Sequence, residues 1–170
     1  IASLKKSPKL SNLLKLLDRD TEHYIASHSQ LVAHLSCTIA SQMEWRSDTT
    51  FQKLSLASMM HDMTIKNQKL AAVSTITELE AASDQYTPAE VQTYRTHTSV
   101  GGQLVRAFEE IPSDVDSIVE EHHERPDGSG FPRGLTHNRI SPLSSIFIVA
   151  HDLAQFILKQ DQLPGQPIDI

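Results

Sequence analysis

The chain has a single cysteine in 170 residues, Cys37, so it can form no internal disulfide, and a reducing, cytoplasmic setting is expected. It has no apolar run long enough to span a membrane and no signal-peptide pattern at its start. It has no stripe of Lys and Arg, and its net charge of −6 argues against a nucleic-acid surface. Strict apolar/polar alternation, internal repeats and linker-like stretches are also missing, which argues against a β architecture and against several domains. It begins at Ile1 instead of Met, so a piece of a longer protein is expected, which leaves room for an upstream regulatory domain. What remains is ordinary for a globular domain: 39% hydrophobic and 21% charged residues in a length that supports one core.

The apolar spacing is helical nearly throughout. Leu10, Leu13, Leu14 and Leu17 recur at helical intervals. A long helix is predicted from Thr21, a possible cap, to about Glu44, with Ile25, Leu31, Val32, Leu35, Ile39 and Met43 on one stripe. A further helix over about Thr49 to Met60 delivers His61-Asp62 at its C-terminal end. Residues 64–83 are ambiguous, with a short helix possible over Thr75 to Ala82. Thr87-Pro88-Ala89-Glu90 is a strong start signal for a helix through His97 to about Phe108. Pro112-Ser113 opens another over Asp114 to Glu121, and Pro142 starts a last one marked by Ile146, Val149, Leu153 and Phe156. The tail from Gln160 reads as irregular. The fold class expected is all-α, one domain over residues 1–170.

Histidine is plentiful. Of the nine, His23, His34 and His137 read as structural or exposed, since a lone His on a helix is seldom a ligand. His28 shares the inward stripe with Leu31, Val32 and Leu35, and a buried imidazole needs a partner. His97 lies four residues before Gly101, a small residue that permits close helix approach. His122-His123 enters a loop, Glu124 to Pro132, whose glycines and prolines fix a tight path. Together with His61-Asp62 far upstream, this suggests a buried metal site assembled from distant segments. Asp62 and Asp152 offer carboxylate oxygens, and mixed N/O ligation suits iron, manganese or zinc. Two such ions lower the pKa of a shared water and clamp a phosphate ester for in-line attack.

The order His28, His61-Asp62, His97, His122-His123 and a late Asp resembles the HD-domain phosphohydrolases. The run His-His-Glu-Arg-Pro-Asp-Gly-Ser-Gly-Phe-Pro-Arg-Gly-Leu, residues 122–135, is similar to the signature of the HD-GYP subfamily, bacterial cyclic di-GMP phosphodiesterases. The resemblance covers about His28 to Asp152. It implies an all-helical bundle and metal ligands at His28, His61, His97, His122 and His123. Asp62 would bridge two transition-metal ions, iron first and manganese next, and serve catalysis. The last ligand depends on register. Without gaps it falls on His151; one extra residue near Ser141 aligns Pro142-Leu143 and places it on Asp152, the assignment favoured here. Tyr24 occupies the position at which some members hold a third ion with a carboxylate, so two ions are expected.

The departures from the family pattern concern the substrate. Phe131 replaces the tyrosine of Gly-Tyr-Pro, Thr64-Ile65 replaces Gly-Lys with Lys66 displaced by one, and the terminal Arg-Pro-Tyr is absent. Lys66, Arg125, Gly130, Phe131 and Arg133 are the remaining candidates for substrate contact. The resemblance therefore implies a divergent cyclic di-GMP phosphodiesterase of reduced activity. Two alternatives stay open. One is a degenerate signalling module that keeps the metal and binds a partner such as a diguanylate cyclase through the Gly-rich loop. The other is a phosphohydrolase of the wider HD group acting on other nucleotides.

Overall fold

A computed structural model describes residues 24–161, with side chains from 24 to 159. Within that span the chain is helical, with seven α-helices, one 3-10 turn and no strand. The helices are α1 (Tyr24–Gln42), α2 (Asp48–Met60), α3 (Gln68–Ala71), α4 (Ile76–Ala81), α5 (Pro88–Arg106), α6 (Val115–Glu121) and α7 (Pro142–Asp161). The helix over Leu10 to Leu17, the Thr21 cap, His23 and the tail beyond Asp161 lie outside the described residues.

Local chemistry sets most helix starts. The Ser47 hydroxyl accepts from Thr50 N at 3.1 Å to open α2, and Asp48 sits in its first turn, where the helix dipole favours a carboxylate. Thr87 and Glu90 form a reciprocal capping box ahead of α5, with Pro88 in its first turn. In the ambiguous stretch, Thr75 caps α4 at Glu78 N, so the short helix forms, ending at Ala81. The four-residue α3, which no periodicity announces, exists because the Asn67 side chain accepts from Lys69 N and Leu70 N. Asp114 stays outside α6 in a left-handed conformation, φ 78°, and its carboxylate takes the Lys53 ammonium at 2.6 Å.

α1 packs on α2 and α7, while α6 packs on α2, α5 and α7. One core joins Leu31, Val32 and Leu35 of α1, Leu54 of α2, Ile118 and Val119 of α6, and Phe147 and Ala150 of α7. Burying each of the larger of these contributes about 1.5–3 kcal/mol. A second core gathers Tyr24, Ile65, Leu70, Val73, Leu79 and Tyr94 beneath α3 and α4. The α5–α6 crossing is close because glycines permit it: a Cβ on Gly101 would meet Val119 Cγ1 at 3.1 Å, and one on Gly102 the Glu120 Cβ at 3.0 Å. That approach brings His97 of α5 against His122 at the end of α6.

The last helix presents a different face from the one expected. Val149 and Phe156, read as apolar stripe, are 57% and 53% exposed. The inward face carries Phe147, Ala150, His151 and Ala154. This rotation decides which of two neighbouring residues reaches the centre of the bundle.

Candidate metal centre

Six histidines and one aspartate meet between the two cores. His28 comes from α1, His61 and Asp62 from the end of α2, His97 from α5, His122 and His123 from the end of α6, and His151 from α7. All seven are buried. They form two groups, His28-His61-His151 and His97-His122-His123, within each of which the ligand-capable atoms lie within 4.8 Å of one another. Asp62 stands between them. One oxygen is 3.2 Å from His61 Nε2, and the other is 3.5 Å from His97 Nε2 and 3.8 Å from His122 Nε2.

Helix geometry fixes three of the rings by one device. His61 Nδ1 lies 2.9 Å from Ser58 O, His122 Nδ1 2.7 Å from Val119 O, and His97 Nδ1 2.5 Å from Tyr94 O. In each case the carbonyl belongs to the residue three positions back. A ring that donates Nδ1–H in this way is held in the tautomer that leaves Nε2 as a lone-pair donor toward the centre. His97 Nε2 and His122 Nε2 then face each other at 3.2 Å with no proton available to join them. Both nitrogens of His28 and of His151 are buried without a hydrogen-bond partner. So many orphaned acceptors in one cavity are costly unless a cation completes them.

Electrostatics agree with that reading. Burial, reinforced by neighbouring imidazoles, holds His28, His122 and His123 far below the usual histidine pKa, and burial likewise lowers His97 and His151. Burial opposes the ionisation of Asp62, but His61, followed by His97 and His28, outweighs it and holds the carboxyl below the usual carboxylate range. Burial also works against protonated His61, and there the Asp62 carboxylate prevails and raises its pKa. The cavity thus offers five imidazoles held toward the neutral form around a His61–Asp62 pair. That donor set suits a divalent transition metal over magnesium.

The two candidates for the last ligand position, Asp152 and His151, lie on different faces of α7. Asp152, the residue favoured from the sequence, is 45% exposed on the outer face of α7 and receives Arg125 Nη2 at 3.0 Å. His151 stands in the cavity in its place, its ring 4.7 Å from that of His28. His151 is the residue of the ungapped register, and the register with one extra residue selects the neighbour on the outer face. His34 and His137 lie exposed, away from the centre.

The Gly-rich loop is built around two acids, Glu121 and Glu124, neither of them a site candidate from the sequence. The buried Glu124 carboxylate accepts from Arg133 N at 2.8 Å and Leu135 N at 2.7 Å. Glu121 accepts from Arg133 Nη2 at 2.7 Å and Ser141 N at 3.0 Å. These bonds draw the loop back across the helix end. Gly130 passes so close that a Cβ would lie 2.3 Å from Arg125 N, which only glycine escapes. The result lays the Phe131 ring on His123, centroids 4.7 Å apart and nearly parallel, while Phe131 N donates to His123 O at 3.1 Å. Among the substrate candidates, Lys66 is exposed, and Arg125 and Arg133 are held by Asp152 and Glu121.

A family model described as HD domain matches residues 11–165, across all seven of these side chains. The chain belongs to the HD-domain family. As an HD domain it is similar to a cyclic di-GMP phosphodiesterase of Pseudomonas aeruginosa, 28% identical over 84% of this chain and 32% of that one. It is also similar to a cyclic di-GMP phosphodiesterase of Thermotoga maritima, 27% identical over 82% of this chain and 36% of that one. A third relative is a 3′3′-cGAMP-specific phosphodiesterase of Vibrio cholerae, 27% identical over 86% and 30%. The HD domain therefore spans about a third of the length of these curated relatives. No solved structure matches it. Among the described residues, no helix is long and apolar enough to cross a membrane.

Proposed function

We propose that this HD domain is a di-metal phosphodiesterase acting on cyclic di-GMP or a related cyclic dinucleotide, with low turnover. One observation carries it: two buried three-imidazole clusters sharing a single carboxylate. His28, His61 and His151 would hold one ion, His97, His122 and His123 the other, and Asp62 both; iron, then manganese, suits the set. Bound ions supply Lewis acidity toward the phosphate and acidify water near neutral pH.

The protein's own contribution is positional and electrostatic. The three i−3 carbonyls keep Nε2 of His61, His97 and His122 aimed inward, and Phe131 holds the plane of His123. Asp62, kept ionised by its imidazole neighbours, would compensate positive charge without needing to shed a proton first. Recognition is the weak side. With Arg125 and Arg133 engaged by Asp152 and Glu121, the loop offers few free cations to a phosphate. Each missing charge-assisted contact costs about 1.5–3 kcal/mol, one to two orders of magnitude in rate.

The test starts with anaerobic purification and elemental analysis, expected to give about two ions per chain. Cyclic di-GMP is then assayed for linear dinucleotide and GMP, beside bis(p-nitrophenyl) phosphate, which requires little recognition. Slow cleavage of the first and readier cleavage of the second are expected. Absence of both from fully metallated protein would favour the partner-binding module, with a diguanylate cyclase as the first partner to try.

A further inference from the structure

Beside the metal centre lies a cleft of about 610 Å³, lined by Tyr24 of α1, Gln68 and Lys69 of α3, Glu78 of α4, Tyr86 ahead of α5, and Lys159 of α7, among others. It begins one ring away from the first imidazole cluster, because Tyr24 stacks on His28 with centroids 5.4 Å apart and planes within 8°. The Tyr24 hydroxyl is buried and has no hydrogen-bond partner. On the other wall, Lys159 follows His151 by eight residues of the same helix, about 12 Å along its axis. Among the described residues, Lys69 and Lys159 are the cations lining this cleft.

Lys159 is not free. Its ammonium donates to Ser74 Oγ at 2.8 Å and to the two Glu78 oxygens at 2.8 and 3.0 Å, which uses its three protons. Glu78 cannot follow a departing lysine, because its carboxylate also accepts from Ser74 N at 2.8 Å as part of the α4 start. The pair is half-exposed at the cleft wall, so solvent keeps the contact weak and exchangeable.

A cyclic dinucleotide has two phosphodiesters, and only one can occupy the metal centre. The other carries a full negative charge that needs a cation nearby. We propose that this cleft receives the non-reacting phosphate and its nucleoside, with Lys159 as the phosphate-binding cation and Glu78 as a built-in competitor for it. The proposal rests on the cyclic-dinucleotide reading and adds, to loop arginines that are themselves ion-paired, a cation on a separate wall. It also makes the Lys159–Glu78 ion pair a brake on affinity: the phosphate must displace a carboxylate.

The metal-loaded chain is titrated with cyclic di-GMP in the cold, where turnover is slow, and binding is followed by calorimetry. Lys159→Met should weaken binding about tenfold, the equivalent of about 1.4 kcal/mol, with metal content per chain unchanged. Lys159→Arg, which keeps the charge, should recover most of the affinity. Glu78→Gln retains the capping geometry that glutamine also supplies and should tighten binding severalfold. Equal affinity in wild type and Lys159→Met, or no tightening in Glu78→Gln, overturns the cleft assignment while leaving the cyclic-dinucleotide reading intact. A metal-loaded wild type that cleaves bis(p-nitrophenyl) phosphate yet binds no cyclic di-GMP overturns the substrate reading, and the cleft assignment falls with it.

Discussion

Removal of the Glu124 carboxylate should separate the scaffold of the metal centre from its ligands. In Glu124→Ala the backbone N–H groups of Arg133 and Leu135 lose a charged acceptor at 2.8 and 2.7 Å. Hydrogen bonds to charged groups contribute about 1.5–3 kcal/mol each. Leu135 is buried, so its N–H is left without water and the full figure applies there. Arg133 is exposed, so hydration replaces part of its loss. The sum is about 3–4 kcal/mol, a large share of the roughly 5–15 kcal/mol that holds a domain together. Urea unfolding of the chelated protein measures it as a lowered midpoint at unchanged slope. Glu124→Gln should fall between, since an amide offers one acceptor oxygen and turns a donor toward the second N–H. The loop that lays Phe131 on His123 is also loosened, so metal affinity should drop by about 10–100-fold while saturating metal still fills the site. A Glu124→Ala cost below about 1 kcal/mol would refute the claim that this carboxylate holds the loop.

Further substitutions probe the centre itself. His151→Ala should lose bound metal, by elemental analysis, whereas Asp152→Ala should keep it and shift stability by at most about 1 kcal/mol, because its pair with Arg125 is a partly exposed one; the opposite ranking would restore Asp152 as the ligand. Gly130→Ala forces a Cβ to 2.3 Å from Arg125 N and 2.5 Å from Glu124 C, so the loop must move; loss of more than about 3 kcal/mol in urea titration is expected, and near-neutrality would contradict the close approach. Chelation should lower the melting temperature, since the ions complete imidazoles that are otherwise orphaned, and an unchanged melting curve after verified metal removal would contradict the buried site. Metal-free protein should also lose stability as pH falls. His28, His97, His122, His123 and His151 have folded pKa values below the ordinary 6.5, so below that pH the unfolded chain binds more protons. The slope is about 1.4 kcal/mol per pH unit for each excess proton, and raised His61 opposes it in part. A chelated protein whose urea midpoint is flat between pH 7 and pH 5 would show those rings already solvated.

Helical class, the start of α5 at Thr87-Pro88 and the histidines at 28, 61, 97, 122 and 123 were all legible in the sequence. Each rests on chemistry within a few residues: a cap, a fixed proline φ, an apolar stripe, or an imidazole pair ahead of a glycine-rich turn. The choice between His151 and Asp152 could not be made that way. Neighbouring residues on a helix point about 100° apart, and the apolar stripe through Val149 and Phe156 suggested the wrong phase because α7 exposes both. Only its packing against α1 and α6 sets the rotation that sends His151 inward. Glu121 and Glu124 were equally silent, since an acid beside a histidine reads as surface until the returning loop supplies its backbone partners. Arg125 and Arg133 looked like free cations for a phosphate until the fold brought Asp152 and Glu121 to them. The cleft joining Tyr24, Glu78 and Lys159 has no trace in sequence spacing at all. Its walls come from α1, α4 and α7, and only the tertiary arrangement makes them neighbours.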